Sequence, residues 1–329
     1  NWWCWNVCRK WCEMEEKNGM VKIRENVGKV IVGKEKVLEL LLTALTAGGH
    51  VLLEDVPGTG KTMMAKSLAR SMDGKFSRIQ FTPDLLPSDV TGLNYYNQKA
   101  GEFLFKEGPA FCNILLADEI NRATPRTQSS LLECMEEHQI TIDGETRTLQ
   151  EPFFVIATQN PVETTGTFPL PEAQMDRFFM RLSMGLPDKE EELAILDRFE
   201  DRQPLFELSC VCTKEELLNA REAYKKVYVH PDLKSYLVEV VQATRTAGDV
   251  IAGVSPRGTL ALFNGAKAYA YVKGRDYVVP EDIKTVAVPI LAHRMIMTSG
   301  YGQEESGSQA IQRILNQVPV PTEEWKRKT

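Results

Sequence analysis

The chain has 329 residues, 43% hydrophobic and 26% charged, with a formal net charge of −6. That length provides for roughly two domains, and the balance excludes a disordered or fibrous chain. No apolar run approaches the roughly 20 residues of a membrane helix, and interspersed acids and bases give no general electrostatic reason for a nucleic-acid partner.

Residues 1–19 differ in composition from the rest. Trp2, Trp3, Trp5 and Trp11 crowd there with Cys4, Cys8 and Cys12. Three thiols on one face of a short helix make a poor metal cage, so a non-native or disordered leader is expected. The segment lacks the long apolar centre of a signal peptide. Cys112, Cys134, Cys210 and Cys212 are scattered without zinc-site spacing, which suits a reducing, cytoplasmic location.

The folded part begins at Met20. Ile31, Val32 and Gly33 precede residues 34–46, where Val37, Leu38, Leu41, Leu42 and Leu45 recur at helical spacing, and Gly48 and Gly49 end that helix. Residues 50–63 read HVLLEDVPGTGKTM. The apolar run 51–53 predicts a buried strand, a Gly/Pro loop follows, and Lys61 and Thr62 open a helix. This order predicts a phosphate cradle. Gly58 and Gly60 let backbone N–H groups turn inward, Lys61 reaches the β- and γ-phosphates, and the Thr62 hydroxyl holds Mg²⁺. One position departs from the pattern. Asp55 stands where the loop motif begins with Gly, so the start of the loop has to adopt a conformation that Asp tolerates.

Residues 76–81 alternate like a strand, residues 82–92 form a Pro/Asp/Gly-rich connection, and two β-like pieces about residues 97–101 predict an inserted hairpin. Residues 113–122, NILLADEINR, are a buried strand ending in adjacent acids. Asp118 at the strand end is placed to bind Mg²⁺ and Glu119 to orient and deprotonate an attacking water. A helix over 131–137 follows, then a hairpin over 139–149 about the Asp143-Gly144 turn. A buried strand over 153–158 ends at Gln159-Asn160, where α/β sheets present ligand groups. A last short strand covers 179–183. Strands alternating with helices predict a parallel sheet covered on both faces. Beyond Pro187 only helices are expected, at 189–199, 214–227, 232–246, 256–273 and 281–295, with one more near Ile311. Domains are accordingly drawn at residues 20–185 (α/β) and 186–329 (helical).

PGTGKT, then LLADE, then a strand ending in Asn, then a helical domain resembles the AAA+ ATPases. Within them GHVLLEDVPGTGKT, FTPDLLPSD, DEINRATPRTQSSLLE, ATQNP and LPEAQMDRF resemble the MoxR family, over most of the chain from Met20 to about Met297. The resemblance implies a five-stranded core in which the strand ending at Asn160 lies between those ending at the loop and at Asp118. It further implies ATP contacts from Val32, Gly33, Pro57, Gly58, Thr59, Gly60, Lys61, Thr62 and Met63, and Mg²⁺ held by Thr62 and Asp118. By the same carry-over Glu119 is the base, Asn160 sensor 1, Arg177 an arginine finger acting on a neighbouring subunit, and Arg257 sensor 2. A hexameric ring, chaperone-like action on protein clients, and a partner with a von Willebrand factor A domain are implied too. Two rival classes stay open. A nucleic-acid motor should carry basic hairpin tips, yet Arg147 is the one base in the second hairpin. A nucleotide-gated scaffold would not need Glu119.

Overall fold

The structure is a computed structural model that describes residues 19–99, 101–161, 166–298 and 306–321. The expected leader, apart from Gly19, lies outside the described residues.

Helix α1 (Gly19–Gly28) buries Met20, Ile23 and Val27 on one face. Helix α2 (Glu35–Ala47) buries Leu38, Leu41, Leu42 and Leu45, and stops at Gly48, whose φ of 75° lets its own N–H and that of Gly49 return to the last carbonyls. Strand β1 (Val51–Glu54) then leads through the Gly-rich loop into α3 (Lys61–Ser71). Strand β2 (Phe76–Gln80), a short helix α4 (Pro87–Thr91) and an antiparallel hairpin of β3 (Gly92–Asn97) with β4 (Glu102–Glu107) follow. Strand β5 (Ile114–Asp118) is succeeded by α5 (Pro125–Glu137) and a second hairpin, β6 (Gln139–Ile142) with β7 (Glu145–Thr148). Its two-residue turn has φ of 51° at Asp143 and 85° at Gly144, the positive values a primed hairpin turn demands. Strand β8 (Phe154–Gln159), one turn of helix α6 (Glu172–Met175) and β9 (Met180–Leu182) complete the α/β layer.

The five strands form one sheet in the order β2-β5-β8-β1-β9, each pair parallel. Strand β8 therefore lies between β5 and β1, as the resemblance implied. Ile114, Leu115, Leu116, Val155, Ile156, Leu52 and Leu53 are fully buried, the continuous apolar runs of a parallel sheet covered on both faces. His50, just before β1, is buried and ties three elements together. Its Nδ1 accepts the Val155 N–H at 3.0 Å, and its Nε2 donates to the Met135 carbonyl of α5 at 3.0 Å.

After β9 come α7 (Lys189–Phe199), α8 (Pro204–Glu207) and α9 (Lys214–Ala223). Compactness divides the chain after Ala223, so these helices go with the sheet, while the sequence reading began the second domain at residue 186. The reason is visible in their contacts. Arg198 donates to the carbonyls of Gly28 and Ile31 at 2.7 and 3.1 Å, and Arg221 donates to Leu45 O at 3.2 Å.

The second unit contains α10 (Pro231–Thr246), α11 (Pro256–Val272), α12 (Pro280–Leu291) and α13 (Gly307–Gln317). The unit is helical, as expected, with one short strand pair in addition. Strands β10 (Val250–Ala252) and β11 (Ile296–Met297) pair antiparallel with an irregular register. They are too short for alternation to show, and Ile251 and Ala252 are exposed, so no apolar period marks them. Among the described residues no helix is long and apolar enough to cross a membrane.

Candidate nucleotide site

Parallel pairing puts the C-terminal ends of β1, β5 and β8 side by side. From these ends extend the Gly-rich loop, the Asp118-Glu119 pair and Gln159-Asn160. Ligands of open α/β sheets bind at such strand ends.

The loop is shaped for anions. Gly58 and Gly60 have φ of 88° and 90°, and a Cβ placed at Gly58 would meet no atom within 4 Å. Thr59 is buried beneath, while Val56, Pro57 and Gly58 face solvent. Gly60 is the residue before Lys61, so the first turn of α3 offers its free N–H groups towards the loop. Lys61 Nζ donates to the Asp55 carbonyl at 3.0 Å. A neutral carbonyl is a weaker partner for an ammonium than a phosphate oxygen. Thr62 and Met63 follow in the same turn, half-buried. The residues present thus fit a nucleotide polyphosphate, and Thr62 with Asp118 supplies the hard oxygen donors that Mg²⁺ takes alongside phosphate oxygens.

Both acids are held in a network. Thr158, fully buried on β8, donates to Asp118 Oδ1 at 2.6 Å and accepts the Glu119 N–H at 2.9 Å. Arg78 of β2 donates to Asp118 Oδ2 at 2.6 Å, and Gln80 donates to Glu119 Oε2 at 2.6 Å. Arg122 pairs with the same Glu119 oxygen at 3.1 Å. Glu119 has φ of 56°, a left-handed conformation that a side chain adopts at a cost. Next to them, Gln159 donates to Glu54 Oε1 at 2.5 Å, and Asn160 is half-buried. Arg78, Gln80 and Thr158 were not singled out in the sequence. Their signal is the register that sets Gln80 opposite Asp118, and a single chain does not print register.

Val32 and Gly33 lie between α1 and α2, half-buried. Gly33 has φ of 67°, and the Glu191 carboxylate of α7 packs so closely that a Cβ there would come within 1.9 Å of Oε1. Lys34 donates to Glu191 Oε2 at 3.2 Å. The structure thus sets α7 against this segment.

The comparisons with known proteins agree with this geometry. Residues 50–180 match the ATPase family associated with various cellular activities (AAA), and residues 242–316 match the AAA lid domain. The chain is 51% identical over 303 residues to the uncharacterised protein YeaC of Bacillus subtilis, covering 92% of this chain and 95% of that one. It is 42% identical over 305 residues to the chaperone MoxR1 of Mycobacterium tuberculosis, covering 90% and 80%. A crystal structure of a candidate ATPase from Cytophaga hutchinsonii matches with a TM-score of 0.87 at 42% identity, over 98% of this chain and 100% of that one. The chain belongs to the MoxR family of AAA+ ATPases.

In this MoxR-family chain Arg177 stands apart from the strand-end cluster. Arg177 precedes β9, whose first residues align with the start of β1: Phe179 N–H donates to His50 O at 2.8 Å. Four strand residues at roughly 3.3 Å each separate that end from the loop, about 13 Å. Arg177 pairs with Glu136 Oε2 at 2.7 Å. Arg257 is exposed in the first turn of α11, in the second unit.

Proposed function

We propose that this MoxR-family protein hydrolyses ATP with Mg²⁺ in a site completed by a neighbouring copy, as a cytoplasmic hexameric ring that remodels protein partners. The observation that carries the reading is Thr158, whose one hydroxyl holds both Asp118 and Glu119 beside the glycine loop. Mg²⁺, which Thr62 and Asp118 would hold, would supply neutralisation of the charge on the phosphates.

The rest is positioning by the chain's own groups. Lys61 leaves the Asp55 carbonyl for a phosphate oxygen, while the loop amides of Gly58 to Lys61 point at the remaining oxygens. Thr62 and Asp118 would hold the cation. Glu119, released from Gln80 and Arg122, accepts a proton from the attacking water that Asn160 helps to orient. Arg177, at the opposite end of the sheet from its own loop, serves the next subunit, and Arg257 serves the phosphates as a lid arginine. Val32 and Gly33 face the base.

Protein rather than nucleic-acid clients are favoured by the second hairpin. Its Arg147 is engaged with Glu145 at 2.6 Å and stacks 4.1 Å over the Phe105 ring, so the charge is already partnered. A partner with a von Willebrand factor A domain rests on the family alone.

The test is Glu119→Gln against wild type, read by fluorescent-ATP binding and by phosphate release. We expect the variant to bind ATP within a few-fold of wild type and to release phosphate about a hundredfold more slowly or less, since the amide keeps the shape and loses the base. Near-normal turnover would move the base elsewhere.

A further inference from the structure

Asp55 is the residue at which this chain departs from the phosphate-loop pattern, and the structure gives it partners that a glycine could not have. It is 6% exposed. Its carboxylate accepts the Ser183 hydroxyl at 2.8 Å, the Met184 N–H at 2.6 Å and the Gly185 N–H at 3.1 Å. Hydrogen bonds to an ionised acceptor are short and strong, and these three fasten the segment after β9 to the first residue of the loop. The Asp55 backbone is fastened as well: its N–H donates to Gln159 O at 3.2 Å and its carbonyl accepts Lys61 Nζ at 3.0 Å.

The segment so held runs on to the other half of the site. Met184 leans towards Gly60, where a Cβ would stand 3.9 Å from its Cε. Three residues beyond Gly185, Asp188 caps α7 by accepting the Glu191 N–H at 2.8 Å. Glu191 is the side chain that covers Gly33 and pairs with Lys34, and the Leu186 carbonyl takes a further bond from Lys34 at 3.3 Å. A continuous path of hydrogen bonds and short chain therefore joins Lys61 at the phosphate end to Gly33 at the base end, and it passes through the Asp55 carboxylate.

We propose that Asp55 is a positioning residue that couples the phosphate loop to residues 183–191, so that a phosphate group on Lys61 is felt at Gly33. Nucleotide draws Lys61 from the Asp55 carbonyl, the restraint on Asp55 changes, and its carboxylate carries the change to Ser183, Met184 and Gly185 and on to α7. This inference rests on the nucleotide reading above. It adds that the base and phosphate ends respond together, and that the acid in place of glycine is the reason.

The test measures hydrogen exchange over residues 183–191 in the full chain, with and without ADP or a non-hydrolysable ATP analogue, while fluorescent-nucleotide binding is followed separately. Wild type should bind nucleotide and exchange more slowly in this segment when it does. Asp55→Gly restores the common loop pattern, so it should bind within about tenfold of wild type, yet exchange about tenfold faster there and no longer respond to nucleotide. Asp55→Asn sets an amide N–H₂ or a lone oxygen against two backbone donors and should lose the response likewise; it decides the matter if Asp55→Gly does not fold. A nucleotide response kept in a folded variant overturns the proposal, as does wild-type binding without any response in 183–191, or failure of both variants to fold, which would make Asp55 a folding residue. Should wild type and Lys61→Ala alike bind no nucleotide, the functional reading falls first, and the binding measurement identifies that case.

Discussion

Thr158 is the smallest change that should disturb the strand-end cluster most. Its hydroxyl gives its hydrogen to Asp118 and its lone pair to the Glu119 N–H. Thr158→Val keeps the branched shape and removes both bonds, which takes the partner from the N–H of half-buried Glu119 at a cost of about 1 kcal/mol. It also frees Glu119 to relax from its left-handed conformation. We expect a lower melting temperature, retained nucleotide binding and hydrolysis slowed by at least tenfold, checked by thermal denaturation and phosphate release. Unchanged turnover would show that the cluster does not depend on this hydroxyl. The acids themselves were legible in the sequence because an apolar run ending in Asp-Glu is a local pattern. Thr158, Arg78 and Gln80 were not, since each meets the acids only through pairing of strands about 40 residues apart. Asp55 was legible as an anomaly, and its partners 128–130 residues away were not.

At the scale of elements, His50 and Glu151 hold the sheet's other end, and both make the fold sensitive to acid. Burial holds the His50 imidazole down at about 4, against an ordinary 6.5. The unfolded chain therefore takes up the proton first as pH falls below 6.5, and stability drains away until pH reaches about 4. Burial by itself would push Glu151 up, but the His138 hydrogen bond at 2.6 Å and the Arg221 charge outweigh it and bring the carboxyl down to about 2 from 4.5. Its contribution is present above pH 4.5 and lost as pH falls towards 2. His50→Gln keeps one donor and one acceptor without the titration. It should flatten the decline in unfolding free energy between pH 6.5 and 4, where one proton can contribute a slope of up to about 1.4 kcal/mol per pH unit. Urea unfolding over that range checks it, and an unchanged slope would assign the decline to other groups. Elements with a strong apolar period, such as α2, or with a two-residue turn signal, such as the Asp143-Gly144 hairpin, could be read directly from the sequence. The β10-β11 pair could not, because three and two residues carry no period.

At the scale of the whole molecule, the account makes the active unit larger than one chain. Lys61 and Arg177 belong to opposite ends of the same sheet, so a site that uses both draws them from two copies. An arginine finger is worth about 10³–10⁵ in rate, because it meets charge that develops only as the terminal phosphoryl departs. Arg177→Ala should bind ATP and assemble but hydrolyse very slowly, whereas Lys61→Ala should not bind nucleotide. The measurement that tests the account most directly mixes the two variants, with mixed assembly verified by native mass spectrometry, and follows phosphate release. Some interfaces in a mixed ring place an intact Lys61 site against an intact Arg177, so the account predicts that activity absent from either variant alone returns in part. Mixed rings that form and release no phosphate would contradict it.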